Sequence, residues 1–210
     1  PREPEDLASR AGMPVEDLSV ILSEARRVLL TARNDRHPPL TDDKILADWN
    51  GLMIGAFARA ARVFDDPRYR DAGGRAAGFI LTSMRDADGQ LLHRYRNGRA
   101  GIAGQAADYA CLTFGLTEMY MATFDPAYLS AAVDLEGHFD AQFWDPVHGG
   151  YFTAPGTQTD LIARQKDFYD GALPSANSVA FTNLLRLTML TGDTSFEKRA
   201  SDLARLYTGL

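Results

Sequence analysis

One helical hairpin is written three times in this chain, and that repeat constrains the fold more tightly than any other feature. The turn Phe64-Asp65-Asp66-Pro67-Arg68-Tyr69 recurs as Thr123-Phe124-Asp125-Pro126-Ala127-Tyr128 and, more loosely, as Thr191-Gly192-Asp193-Thr194-Ser195-Phe196. The step is 59 residues from Pro67 to Pro126 and 68 from Pro126 to Thr194. An apolar helix precedes each turn and an amphipathic one follows it. Units repeating at this period cannot bury their apolar faces alone, so they must stack on one another.

The first hairpin spans residues 41–85. Its first helix carries Trp49, Leu52, Met53, Ala56, Phe57, Ala60 and Val63, apolar nearly all round, with Gly51 and Gly55 inside it. Such a helix is enclosed by protein, and its glycines let a neighbour come close. The second helix keeps Tyr69, Ala72, Ala76, Phe79 and Ile80 on one face and turns its charges to water. Residues 107–143 and 174–210 repeat the plan. The connectors at 86–106 and 144–173 pair Asp88-Gly89, Asn97-Gly98 and Gly149-Gly150 with short β-prone runs, which predicts small hairpins or extended loops. Residues 1–40 form an entry segment: a loop or short turn over 1–12, then a helix over 14–33 that His37-Pro38-Pro39 ends. Inner and outer helices in alternation, with the elaborate loops all at one end, predict an all-α single domain over 1–210. Its architecture is part of an α/α toroid, about half a ring.

Composition removes several function classes. A net charge of -6 without a Lys/Arg run argues against nucleic-acid binding. No stretch approaches the roughly 18 uninterrupted apolar residues of a membrane span. The opening Pro1-Arg2-Glu3-Pro4 is neither a signal peptide nor an initiator sequence, and reads as a cut inside a longer protein. Cys111, the single cysteine, cannot form an internal disulfide. It reads as a small buried hydrophobe in a reducing, cytoplasmic setting.

The stretch Asp42-Asp43-Lys44-Ile45-Leu46-Ala47-Asp48-Trp49-Asn50-Gly51-Leu52-Met53 carries a family signature. Further matches follow in order: Asp108-Tyr109-Ala110, Thr123-Phe124-Asp125-Pro126, Trp144-Asp145 with Gly149-Gly150-Tyr151-Phe152, and Asp170-Gly171-Ala172 with Pro174-Ser175-Ala176-Asn177-Ser178. Together they resemble the thioredoxin-like spermatogenesis-associated protein family over nearly the whole chain. The resemblance implies a toroid similar to six-hairpin glycosidases and N-acylglucosamine 2-epimerases, carried behind an N-terminal thioredoxin-like domain that would be one partner. No Cys-x-x-Cys occurs in the chain, so no dithiol chemistry can come from it. The chain departs from the family at Ala107, where an acidic residue often precedes the Asp-Tyr-Ala step.

Aligning the hairpins on their turns brings Trp49-Asn50, Asp108-Tyr109 and Ala176-Asn177 to one level, at the starts of the inner helices. The functional expectation is a funnel in which Asp43, Asp108 and Asp170 supply acid/base groups. Lys44 and Lys166 would line the funnel with them as substrate-binding residues, Asn50, Asn177 and Ser175 would bond hydroxyls, and Trp49, Tyr109, Trp144 and Tyr151 would offer flat faces to a sugar ring. Glycoside hydrolysis needs two carboxyl groups across the scissile bond. Epimerisation needs acid/base groups beside a carbon next to a carbonyl, for which His93 is the candidate. The competing expectation is helix capping, since Asp, Asn and Ser are the preferred residues at helix starts. A different function class also fits: a non-catalytic helical scaffold for protein or interdomain contact, whose exposed inner flanks would favour homo-oligomers. The expected ligand is a carbohydrate, with no cofactor, metal, nucleic acid or membrane.

Overall fold

The computed structural model describes residues 3–208. The sequence reads as one domain; the structure divides into two compact units, Pro1–Asp43 and Lys44–Leu210. The first holds α1 (Pro4–Ala11) and α2 (Val15–Asn34). The segment expected as a loop or single turn is therefore a helix over most of its described length. Pro4 at its first position, Glu5 and Asp6 in its first turn and left-handed Gly12 after its end account for it. α2 buries none of its residues.

The second unit is β1 (Ile45–Leu46), α3 (Ala47–Phe64), α4 (Pro67–Ser83), β2 (Leu92–Arg96), β3 (Arg99–Ala103), α5 (Ala106–Thr123), α6 (Pro126–Phe143), α7 (Ala176–Thr191) and α8 (Thr194–Thr208). The three expected turns share one build. A left-handed residue ends the first helix: Asp65, Phe124 or Gly192. The next residue is an aspartate whose carboxylate accepts an amide two residues on. These bonds are Arg68 N to Asp66 and Ala127 N to Asp125, each 2.9 Å, and Ser195 N to Asp193, 2.8 Å. The aspartate caps the outer helix while the left-handed residue reverses the chain.

α5 is the centre of the unit, packed against α3, α6 and α7. The glycines explain how close α3 comes. A Cβ on Gly51 would strike the Cys111 backbone, one on Gly115 the Gly51 carbonyl, and one on Gly55 the Phe114 ring. Gly73 plays the same part for α4, with the Met119 sulfur 2.9 Å from where a Cβ would stand. Between the hairpins' ends a column of rings fills the core: Tyr109 stacks on Phe139 at 6.0 Å, and Phe139 on Tyr151 at 4.0 Å.

The first connector forms the expected hairpin. β2 and β3 pair antiparallel through Arg94↔Gly101, Tyr95↔Ala100 and Arg96↔Arg99, around Asn97-Gly98 with positive φ at both residues. β1 adds a third strand through Ile45↔Tyr95 and Leu46↔Arg94. That strand is not legible in the sequence, because two residues carry no period. The second connector has a single bridge, Trp144↔Tyr151, closed by Gly149 and Gly150 at positive φ.

Candidate functional site

The three-stranded sheet sits where α3 and α5 begin. β1 runs directly into α3, which puts Asp48 in that helix's first turn. Asp108 stands in the first turn of α5, and β2 carries His93. These three side chains meet: one ligand atom from each lies within 4.8 Å of the others.

Asp108 is the fixed point. Its side chain is wholly buried and accepts the amides of Asp48 (3.0 Å) and Gln105 (2.8 Å). Capping is thus part of its work, but it also bonds beyond its own helix. His93 Nδ1 lies 3.0 Å from each Asp108 oxygen. A carboxylate accepts and does not donate, so Nδ1 carries the proton and Nε2 is left as the basic nitrogen. The bond to Asp108 raises the His93 pKa above its ordinary 6.5, against the opposing effect of burial. Asp48, half-buried, has its pKa raised by burial and by the neighbouring Asp108 charge. Its Oδ1 accepts the Trp49 amide at 2.7 Å. Two carboxyls and an imidazole could in principle hold a cation. Yet Asp108 already serves two amides and the imidazole, an arrangement that suits proton transfer through His93 better than metal ligation.

The other expected site residues have different surroundings. Asp43 is exposed and closes the first unit; Lys44 is exposed and opens the second. Asp170 is exposed in the connector before α7, where it accepts the Ser175 amide (2.8 Å) and the Ser178 hydroxyl (3.0 Å). Ser175 caps α7 by accepting the Ser178 amide. Asn177 is buried and ties the second connector to α7, exchanging bonds with Tyr151 N and O and donating to Asp167 O. Asn50 donates to the Leu46 carbonyl. Lys166 is held by Asp145 at 2.7 Å and by the Gly149 carbonyl.

Two of the four expected aromatic walls need correcting. Tyr109 and Tyr151 are 1% and 0% exposed, with their rings in the core stack, so neither has a free face for a sugar. Trp144 packs edge-on to Tyr151 at 5.0 Å. Trp49, 58% exposed beside Asp48, keeps an open face. Cys111 is buried, as expected; burial and then the nearby Asp48 and Asp108 push its thiol up to about 12.

Sequence reasoning passed over Asp48. Its signal was available: it lies one position before Trp49, which aligns with Asp108 across the repeat. The contact with His93 could not be read, because it depends on the unforeseen β1 pairing.

No protein-family model matches the chain. Human spermatogenesis-associated protein 20 is 37% identical over 195 residues, which is 88% of this chain and 25% of that protein. The chain therefore spans about a quarter of the length of this relative. Among solved structures, the fold resembles cellobiose 2-epimerase from Spirochaeta thermophila with a TM-score of 0.63 at 16% identity, covering 76% of this chain and 42% of the epimerase. It also resembles a GH76 α-mannanase of Bacteroides thetaiotaomicron, with a TM-score of 0.59 at 16% identity over 79% and 45% of the two chains. The helical hairpins thus make part of an α/α toroid. By sequence, the chain is homologous to a segment of the spermatogenesis-associated protein 20 family.

Proposed function

We propose that this chain supplies the acid/base centre of a carbohydrate-processing toroid, with epimerase-like proton transfer at a sugar carbon next to a carbonyl. The observation that carries the reading is a partly exposed His93 oriented through Nδ1 by the buried Asp108, with Asp48 beside it. Nε2 removes the proton from the sugar carbon, and the imidazolium formed is stabilised by Asp108. The enolate then turns about the bond beside the carbonyl, and the imidazolium, its Nε2 proton exchanged with solvent, reprotonates the opposite face and inverts the carbon. Asp48, its pKa raised, can hold a proton near the developing enolate oxygen. Trp49 offers the ring face against which a pyranose packs. The solved epimerase and mannanase support the sugar class through fold alone.

The test is proton exchange. Incubated with aldoses and disaccharides in D2O, the chain is expected to wash deuterium into the carbon beside the carbonyl. His93→Asn should lower the rate by about a hundredfold or more, and Asp108→Asn by a smaller factor. Release of a new reducing end without exchange would move the reaction to the glycosidase class. No exchange and no release with any sugar would remove the proposal.

A second reading rests on a separate observation. Trp49, Met53 and Met189 on the inner helices are 58%, 52% and 80% exposed. Apolar side chains on that layer suit contact with further protein, including a thioredoxin-like domain or a second copy. A footprint of another domain on Met53 and Met189, with no sugar bound, would favour it.

A further inference from the structure

Ten residues beyond Asp108 on α5, about 15 Å along the helix, Glu118 is fully buried in the inner layer. Three guanidinium groups surround it. Arg59 of α3 donates to Oε1 through Nε (2.9 Å) and Nη2 (2.7 Å). Arg186 of α7 donates to the same oxygen (2.6 Å), and Arg62 of α3 to Oε2 (2.6 Å). The carboxylate stays ionised: burial works against the charge, but the arginine bonds outweigh it and lower the pKa.

One arginine neutralises one buried glutamate, and the other two leave this cluster with two surplus positive charges. They stand out in a chain whose net charge is -6. The guanidinium groups are not spent on Glu118 either. Each has five N–H donors, and Glu118 accepts only four bonds from all three. Nor are they shut away, since the side chains of Arg59, Arg62 and Arg186 are 51%, 40% and 25% exposed. Arg59 and Arg186 also lie over the Phe114 ring, at 5.1 and 5.7 Å from its centroid. The Phe114 ring and Glu118, both on α5, hold in place guanidinium forks that come from two helices, α3 and α7.

We propose that this arginine cup binds a phosphate-type dianion, either free or as the phosphoryl group of a monoester. Its charge matches the surplus of two, and planar guanidinium forks suit paired oxyanion oxygens. Glu118 acts as the buried strut that keeps the forks apart and aimed.

Isothermal titration of the full chain with inorganic phosphate, at low ionic strength against chloride of equal ionic strength, tests the proposal. Saturable one-to-one binding is expected, weakened at least tenfold in Arg62→Gln, which leaves Glu118 two arginines. A sugar monophosphate binding more tightly than phosphate would identify the monoester as the source; equal affinity would identify the free ion. His93→Asn should bind phosphate like the unaltered chain, so the outcome is independent of the proton-transfer centre. Should Arg62→Gln fail to fold, Arg59→Lys keeps the charge but loses the fork, with the same loss expected. Absence of saturable phosphate binding, or unchanged binding in the arginine variant, would overturn the proposal.

Discussion

At the scale of single residues, the backbone opposite His93 is unusual. Ile102 has φ of 65°, a conformation that costs a β-branched residue on the order of 1–3 kcal/mol. Paired positions occur on either side, at Leu92↔Ala103 and Arg94↔Gly101. The Ile102 side chain is 53% exposed, so little burial compensates the strain. Ile102→Asn, which tolerates that conformation, should therefore stabilise the chain by about 1 kcal/mol, seen as a higher midpoint in thermal unfolding. A lower midpoint would mean that the side chain's contacts outweigh its backbone. Nothing in the sequence Arg99-Ala100-Gly101-Ile102-Ala103 announces this, since isoleucine there reads as an ordinary strand residue. Asp108 shows the opposite case. Its place at a helix start is plain from the repeat, while its bonds to Asp48 and His93 come from separate elements that only folding brings together.

At the scale of elements, the sequence was most legible where local chemistry dictates structure. The Asp-Pro turns and the Asn-Gly hairpin are set by the residues that compose them, and both form as read. The apolar inner helices and their glycines were legible for the same reason: a helix with no polar face must be surrounded, and glycine marks the close side. Gly51→Ala puts a methyl group into the Cys111 backbone, which cannot shift as a side chain would. A loss of roughly 2–3 kcal/mol is expected in denaturant unfolding, whereas Gly78→Ala, with open space around it, should be neutral or stabilising. The aromatic walls misread as ligand faces belong here too. Tyr109 and Tyr151 flank turns and loops in sequence, but the column they form with Phe139 is a cross-element contact that no local pattern encodes.

At the scale of the whole molecule, stability should depend on pH through buried acids. Glu136 is completely buried; burial, and next the Asp140 charge, push its pKa from 4.5 to about 8. Tyr151 has one hydroxyl proton and two carboxylates in reach, Asp140 at 2.7 Å and Glu136 at 3.1 Å. It donates to the nearer, and a protonated Glu136 donates back to the phenol oxygen. The folded chain therefore keeps a proton that the unfolded chain releases above 4.5. Stability falls as pH rises from there to about 8. His93 adds in the same direction: its contribution is full below 6.5 and lost as pH rises through its raised pKa. At the acid end Asp145, held low chiefly by Lys166, loses its contribution as pH falls. Thermal midpoints should thus peak in mildly acidic solution, and Glu136→Gln should flatten the decline toward pH 8, checked by calorimetry across that range. An unchanged slope in the variant would mean that the proton resides elsewhere.

The glycine contact between α3 and α5 has one more consequence. Main chain meets main chain there, one helical turn from Asp48 and Asp108. The spacing of the main chains that carry the two acids is therefore cast in peptide geometry. That spacing is ready-made, and the surrounding loops could vary without loosening it.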